Sequence, residues 1–296
     1  MYRRILLPLD GSRFAEQAVP LALGLAGRAG ADLHLVMVAE PSGPTASECE
    51  EYLQGVAGRM GEAPGGGAGR VSTAVRAGHI VGRLREELET FDADATVMAT
   101  HGRGGLSRLW VGSIAMGFLH ETDRPLILVR PGAGGAGEVV PEALSKLLVP
   151  IDGSHLSECV LDHAVGLGAL FDAAFHLTRV VSPPVDTGSP YAAPTSAVAA
   201  AQYEEAERTA TDYLARCAES LRARGHRVTA SVIVDMQPGR GILRAADETG
   251  CDGIAMATHG RVGLARALLG SATDKVLRGS RVPLLLCRPD GGADAR

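Results

Sequence analysis

The chain has 296 residues, a length that suits two domains of ordinary size better than one. Hydrophobic residues make up 46% and charged residues 21%, so the chain can bury a core and does not have a disordered composition. Lys and Arg number 29 against 34 Asp and Glu, a net charge of −5 with no concentrated basic stretch, which argues against nucleic acid as a partner.

The elements, taken in chain order, alternate between strand and helix periodicity. Arg3-Arg4 before Ile5-Leu6-Leu7 has a faint likeness to an export signal, but Asp10 interrupts the apolar run at once. Ile5 to Leu9 instead predicts a strand covered on both faces. Ser12 is the expected N-cap of a helix through Ala15, Ala18, Val19, Ala22, Leu23 and Ala26, with Gly30 as its stop. Leu33 to Val38 predicts a second strand, Glu48 to Met60 a polar helix, and Val71 to Val75 a third strand. A helix with Val81, Leu84 and Leu88 on one face follows. Ala95 to Ala99, about Val111 to Glu121, and Leu126 to Val129 then complete a βαβαβαβαβ series. Such alternation predicts a parallel sheet with helices on both faces, whose ligands sit outside the carboxyl ends of strands at the switch point.

The series is then repeated. Pro8, Asp10, Gly11, Ser12 and Val38 return as Pro150, Asp152, Gly153, Ser154 and Val180, and the run Met98 to Arg103 returns unchanged as Met256 to Arg261. The offset between copies is 142 residues at the start and 158 at the end, so the second copy is longer by 16. The Pro-rich run Ser182 to Ser196 is the expected place for the extra length. A long period present only twice indicates duplicated domains rather than a solenoid. The expected boundaries are 1–132 and 143–290, joined by a Gly-rich linker over 133–142. Cys49, Cys159, Cys217, Cys251 and Cys287 are odd in number and widely spaced, which predicts neither a disulfide framework nor a zinc site. No run reaches the roughly 18 apolar residues of a membrane span. A soluble, cytoplasmic protein is expected.

The segment from Met98 to Ser113 is the most informative. A Gly-rich loop leaves a strand and ends in Gly112-Ser113 at a helix start, and the second copy keeps Gly260, Gly263, Gly270 and Ser271 at the same spacing. Glycines let backbone N–H groups approach an anion, and a helix N-terminus supplies unpaired donors with a favourable dipole. The glycines also suit tight turns alone. No Walker A pattern is present.

A strand, a glycine, nine residues and Gly-Ser, with an aspartate after the first strand, resembles the ATP-binding subgroup of the universal stress proteins. Gly102 with Gly112-Ser113, and Gly260 with Gly270-Ser271, match that family's motif twice, while its first glycine is replaced by Ala99 and Ala257. The resemblance covers both copies. It implies two tandem Rossmann-like domains of the adenine nucleotide alpha hydrolase-like kind, each a five-stranded parallel sheet. It also implies ATP as ligand, with Asp10 and Asp152 meeting the adenosine beside Pro8, Leu9, Pro150 and Ile151. Val38 and Val180 would border the adenine. Backbone around Gly102, Arg103, Gly112, Ser113 and Ile114, and around Gly260, Arg261, Gly270, Ser271 and Ala272, would hold the phosphates. Met98, Ala99 and His101, with Met256, Ala257 and His259, complete the expected binding set. Mg²⁺ would ride with the phosphates, with no protein carboxylate assigned to it.

Each of these residues has a second reading. Asp10-Gly11-Ser12 also suits a turn that caps a helix, and Arg103 and Arg261 suit solvated loop charges as well as phosphate ligands. His101 has no nucleophile placed beside it, so a structural or ligand-edge role is expected and no catalytic residue is named. Trp110 has Leu268 as its counterpart, which points to packing. The leading expectation is a regulatory protein of stress responses with one nucleotide site per domain. A nucleotide-free module for association is the alternative, and a slow ATPase ranks last. The resemblance further implies that Leu126 to Val129 pairs with Leu284 to Cys287, giving an internal pseudo-dimer, from which a homodimer of chains could be built.

Overall fold

The structure, a computed structural model, describes residues 1–61, 69–101, 111–131, 141–183, 197–258 and 269–288. The first half runs β1 (Arg4–Pro8), a 3-10 turn (Ala15–Ala18), α1 (Val19–Ala29), β2 (Asp32–Ala39), α2 (Ala46–Gly61) and β3 (Val71–Ala77). It continues with α3 (Ile80–Phe91), β4 (Ala95–Ala99), α4 (Ser113–Glu121) and β5 (Leu126–Val129). The second half repeats the pattern as β6 (Lys146–Pro150), α5 (His155–Glu158), α6 (Val160–Phe171), β7 (Ala174–Val181) and α7 (Ala197–Ala223). It closes with β8 (Val228–Val234), α8 (Pro238–Thr249), β9 (Gly253–Ala257), α9 (Ser271–Gly279) and β10 (Leu284–Cys287).

The ten strands among the described residues form one sheet in the order β3-β2-β1-β4-β5-β10-β9-β6-β7-β8. Pairing is parallel within each half and antiparallel only at the centre, where Leu128, Ile127 and Leu126 face Leu284, Leu285 and Leu286. The internal pseudo-dimer is therefore joined by backbone hydrogen bonds across β5 and β10. Alternation along each strand sends Leu7, Leu35, Val97 and Ile127 to one face and Leu6, Val36, Met98 and Leu128 to the other. The second half adds Val149, Leu177 and Leu285 to the first face and Leu148, Ile254 and Leu286 to the second, so each core runs across both halves. The N-terminal arm strengthens the junction. Tyr2 is fully buried, and its Oη donates to the carbonyl of His163 on α6 at 3.1 Å.

Two expectations change. The helix expected from Ser12 is broken in two: Ser12 caps the 3-10 turn, its Oγ accepting from Ala15 N–H at 3.1 Å, and α1 starts afresh at Val19 with Pro20 in its first turn. The second half divides at nearly the same place, between α5 and α6, with Asp162 where Pro20 stands, so the division belongs to the fold and does not depend on the proline. The extra length of the second copy is also distributed differently. α7 has 27 residues where α2 has 16, so the helix itself holds much of the excess, alongside a longer approach to it. Most of the expected insert and of the linker (184–196 and 132–140) lies outside the described residues. Among the described residues no helix is long and apolar enough to cross a membrane.

Candidate functional site

The carboxyl ends of β1 and β4 lie side by side where the strand order reverses, as do those of β6 and β9. Leu9 is buried and extends the ladder beyond β1 through its N–H to Val36 O at 2.9 Å. The chain then turns sharply. Gly11 has φ 81°, a backbone region that other residues rarely adopt, and Asp10 Oδ1 accepts from Ser12 N–H at 2.9 Å. The second half repeats the turn: Ile151 N–H reaches Thr178 O at 2.9 Å, Gly153 has φ 86°, and Asp152 Oδ1 accepts from both N–H and Oγ–H of Ser154. Both aspartates thus shape their own turns at a position that also borders the switch point.

At the end of β4, Met98 and Ala99 are buried, and Thr100 N–H bonds Val129 O at 2.8 Å. The carbonyl of Thr100 accepts from Gly112 N–H at 2.7 Å, and a Cβ at residue 112 would come within 2.9 Å of that same oxygen. Only glycine fits there without movement. Gly112 is the N-cap of α4 and, lacking a side chain, leaves the first-turn amides of Ser113, Ile114 and Ala115 without a side-chain cap from itself. The second half has the same arrangement, with Gly270 N–H on Thr258 O at 3.1 Å and Gly270 as the N-cap of α9. Such a helix start suits an anion, while the close packing of the glycine is against the protein's own Thr100 carbonyl. Ala99 and Ala257 are strand residues outside the left-handed region, so alanine costs nothing there in backbone strain.

Val38 and Ile114 pack on the same face as Met98, and Val180 and Ala272 do so beside Met256, whereas Leu9, Ala99 and Ile151 of the expected set pack in the core of the opposite face. Pro8 and Pro150 end β1 and β6, directly before the turns. His101 Nδ1 lies 2.9 Å from Thr100 Oγ1, a contact between neighbouring residues at the end of β4. Gly102, Arg103, Trp110, His259, Gly260, Arg261, Gly263 and Leu268 lie outside the described residues.

The two sites are not copies in every part. In the second half Asp235, whose side chain is 1% exposed, follows β8 and receives Arg240 Nε at 3.0 Å on both oxygens and Gln237 N–H at 2.9 Å. These hydrogen bonds from the guanidinium hold its carboxyl below the usual carboxylate range. The group stands beside Val180, since a Cβ on Gly241 would meet Val180 Cγ1 at 3.0 Å and Asp235 Cβ at 3.1 Å. The first half has Ala77, Gly78 and His79 here, with Arg83 Nε donating to Ala77 O at 2.9 Å. A size exchange separates them further: Val81 packs on Gly117, while at the equivalent positions Gly239 packs under the stem of Lys275. The sequence reading missed this edge. The Asp-x-Gln-Pro start of α8 was its visible signal, but spacing alone does not show that the carboxylate is buried.

Lower on the same face, His34 Nε2 lies 2.8 Å from Glu87 Oε1 and Nδ1 lies 2.7 Å from Ser72 Oγ, while Arg76 Nε meets Glu87 Oε2 at 2.5 Å. In the second half His176 is held by Thr229 and Ser231 hydroxyls, both at 2.8 Å. Burial lowers both imidazoles below their usual range, for His34 against the opposing pull of Glu87. An unfolded chain takes up protons at these positions that the folded chain refuses, so their contribution is intact above about pH 6.5 and is lost as pH falls through the folded values. Thermal unfolding at pH 7.5 and 5 is expected to show a drop on the acid side, smaller in a His34→Gln, His176→Gln variant. An equal drop in both proteins contradicts the assignment.

Comparison with known proteins agrees with this fold. The model of the Universal stress protein family matches residues 1–130 and again 144–288. A universal stress protein of Mycolicibacterium smegmatis is 27% identical over 305 aligned positions, covering 96% of this chain and 97% of that one. One from Methanocaldococcus jannaschii is 27% identical over 143 positions, 48% of this chain and 81% of its own length. Among solved structures, a universal stress protein from Archaeoglobus fulgidus DSM 4304 superimposes with TM-score 0.68 at 19% identity, covering 98% of this chain and 97% of that one. A putative universal stress protein from Pseudomonas aeruginosa UCBPP-PA14 gives 0.68 at 18%, covering 98% and 94%. With a sheet duplicated in one polypeptide and a family match on each copy, the chain belongs to the universal stress protein family as a tandem member.

Proposed function

We propose that each half binds one adenine nucleotide, as ATP with Mg²⁺, and that occupancy regulates the protein's associations during stress. One observation carries this reading: a glycine that admits no Cβ opens a helix N-terminus at the switch point, and the same start recurs in the other half. In this role the amides of Ser113 and Ile114, and of Ser271 and Ala272, hold phosphate oxygens. Asp10 and Asp152 receive the ribose, and Val38 and Val180 line the adenine. Bound ATP would bring to this place a polyphosphate whose charge Mg²⁺ partly neutralises. No disulfide joins the cysteines among the described residues, which suits the cytoplasmic setting we assign.

A second reading rests on its own observation. Asp10 and Asp152 are engaged in their turns, and the halves already associate through β5 and β10, so the fold also suits a nucleotide-free association module, including a homodimer of chains. Calorimetric titration separates the two. The nucleotide reading expects saturable heat with MgATP at two equivalents per chain. Absence of heat with ATP, ADP, AMP and cyclic AMP at millimolar concentration overturns it in favour of association.

A further inference from the structure

The strands that join the halves end in equivalent arginines, and each reaches across the junction. Arg130, directly after β5, donates from Nη1 to the carbonyls of Arg278 at 2.8 Å and Ser280 at 3.0 Å, at the carboxyl end of α9. Arg288, directly after β10, donates from Nη1 to the carbonyl of His120 at 2.9 Å, at the carboxyl end of α4. His120 and Arg278 are themselves equivalent positions in the two copies. A cation at a helix carboxyl end meets carbonyls that have no intrahelical partner and the negative end of the dipole. Each candidate phosphate helix is therefore held at its far end by the other half of the molecule.

The contacts close into a circuit. Gly112 N–H bonds Thr100 O, Thr100 N–H bonds Val129 O, and the next residue, Arg130, grips the end of α9, whose first residue follows Gly270. In the opposite direction Gly270 N–H bonds Thr258 O, Thr258 N–H bonds Cys287 O, and Arg288 grips the end of α4. α4 and α9 have only nine residues each, too short to absorb a displacement at one end without passing it to the other.

We propose that Arg130 and Arg288 are positioning residues that act crosswise: Arg130 sets the phosphate helix of the second half, and Arg288 that of the first. For nucleotide binding this rests on the reading above; for helix positioning it does not. Hydrogen–deuterium exchange on the full chain, followed separately for residues 113–121 and 271–279 during a MgATP titration, tests it. In R130Q the concentration that protects 271–279 rises about three- to tenfold while that for 113–121 is unchanged, and R288Q gives the converse. R130K and R288K, which keep the charge, recover part of the loss. A variant that merely destabilised the fold would move both segments together, and that result, or an effect confined to the arginine's own half, overturns the proposal. If MgATP protects neither segment in the unmodified protein, the nucleotide reading falls. The clamp is then judged on exchange without ligand, where crossed loosening of α9 in R130Q and α4 in R288Q supports it, and its absence overturns it.

Discussion

Gly112→Val reduces bound nucleotide from two equivalents per chain to one. The cause is steric and local: even the first carbon of a side chain at 112 would sit 2.9 Å from Thr100 O, and that oxygen is fixed by accepting the Gly112 N–H itself. The branched valine must push the start of α4 away from β4, at a cost of about 1–3 kcal/mol, or roughly five- to 150-fold in affinity. The displaced element is the one whose amides would face the phosphates. Gly270→Val has the same effect on the second site, because Gly270 shares the backbone (φ −59°, ψ 143°) and the bond to Thr258 O. Titration of each single variant and of the double variant, with circular dichroism to show folded protein, gives one, one and no equivalents. Two equivalents of unchanged affinity in Gly112→Val contradict the placement of the phosphates at α4.

The second large effect is on stability. Glu87 is 4% exposed and accepts from Arg76 and from His34, whose ring also stacks on Phe91 with centroids 4.7 Å apart. Because burial keeps the imidazole neutral, its Nε2–H donates to the carboxylate, and Nδ1 is left to accept from Ser72. Glu87→Ala leaves a buried donor without its acceptor, opens a cavity and frees the Arg76 guanidinium, a loss of about 3 kcal/mol in urea unfolding. The second half shows how the same histidine is satisfied without charge, since Ala245 stands where Glu87 does and Ser231 bonds the ring. Ala74 is the equivalent of Ser231. Adding Ala74→Ser to Glu87→Ala is therefore expected to recover a substantial part of the loss, and no recovery would show that the cavity, rather than the orphaned Nε2, dominates.

Much of this fold is legible because the central strands are apolar on both faces and each Asp-Gly-Ser turn carries its own chemistry. Leu6 and Leu7 read as strand whichever face they take, and Gly11 and Gly153 announce a backbone that needs glycine. The pairing of β5 with β10 came from family likeness, not from periodicity, which carries no information about which edges meet. What escaped the reading depends on distance. The Arg-Pro pair after each last strand is visible twice, but the carbonyls these arginines reach are 148 and 168 residues away. Asp235 escaped because its burial depends on Gly241 and Val180 closing over it. The length of α7 was hidden by the prolines before it, which drew the whole excess into a loop. The division before Val19 was missed because apolar spacing continues through the break.

The most direct test of the account is the ligand content of the purified chain, by native mass spectrometry followed by denaturation and chromatography of the small molecules released, after incubation with MgATP. The account predicts a mass corresponding to two adenine nucleotides per chain, falling by one with each glycine variant. A chain that remains empty would contradict it, and the glycines at 112 and 270 would then be elements of the fold alone.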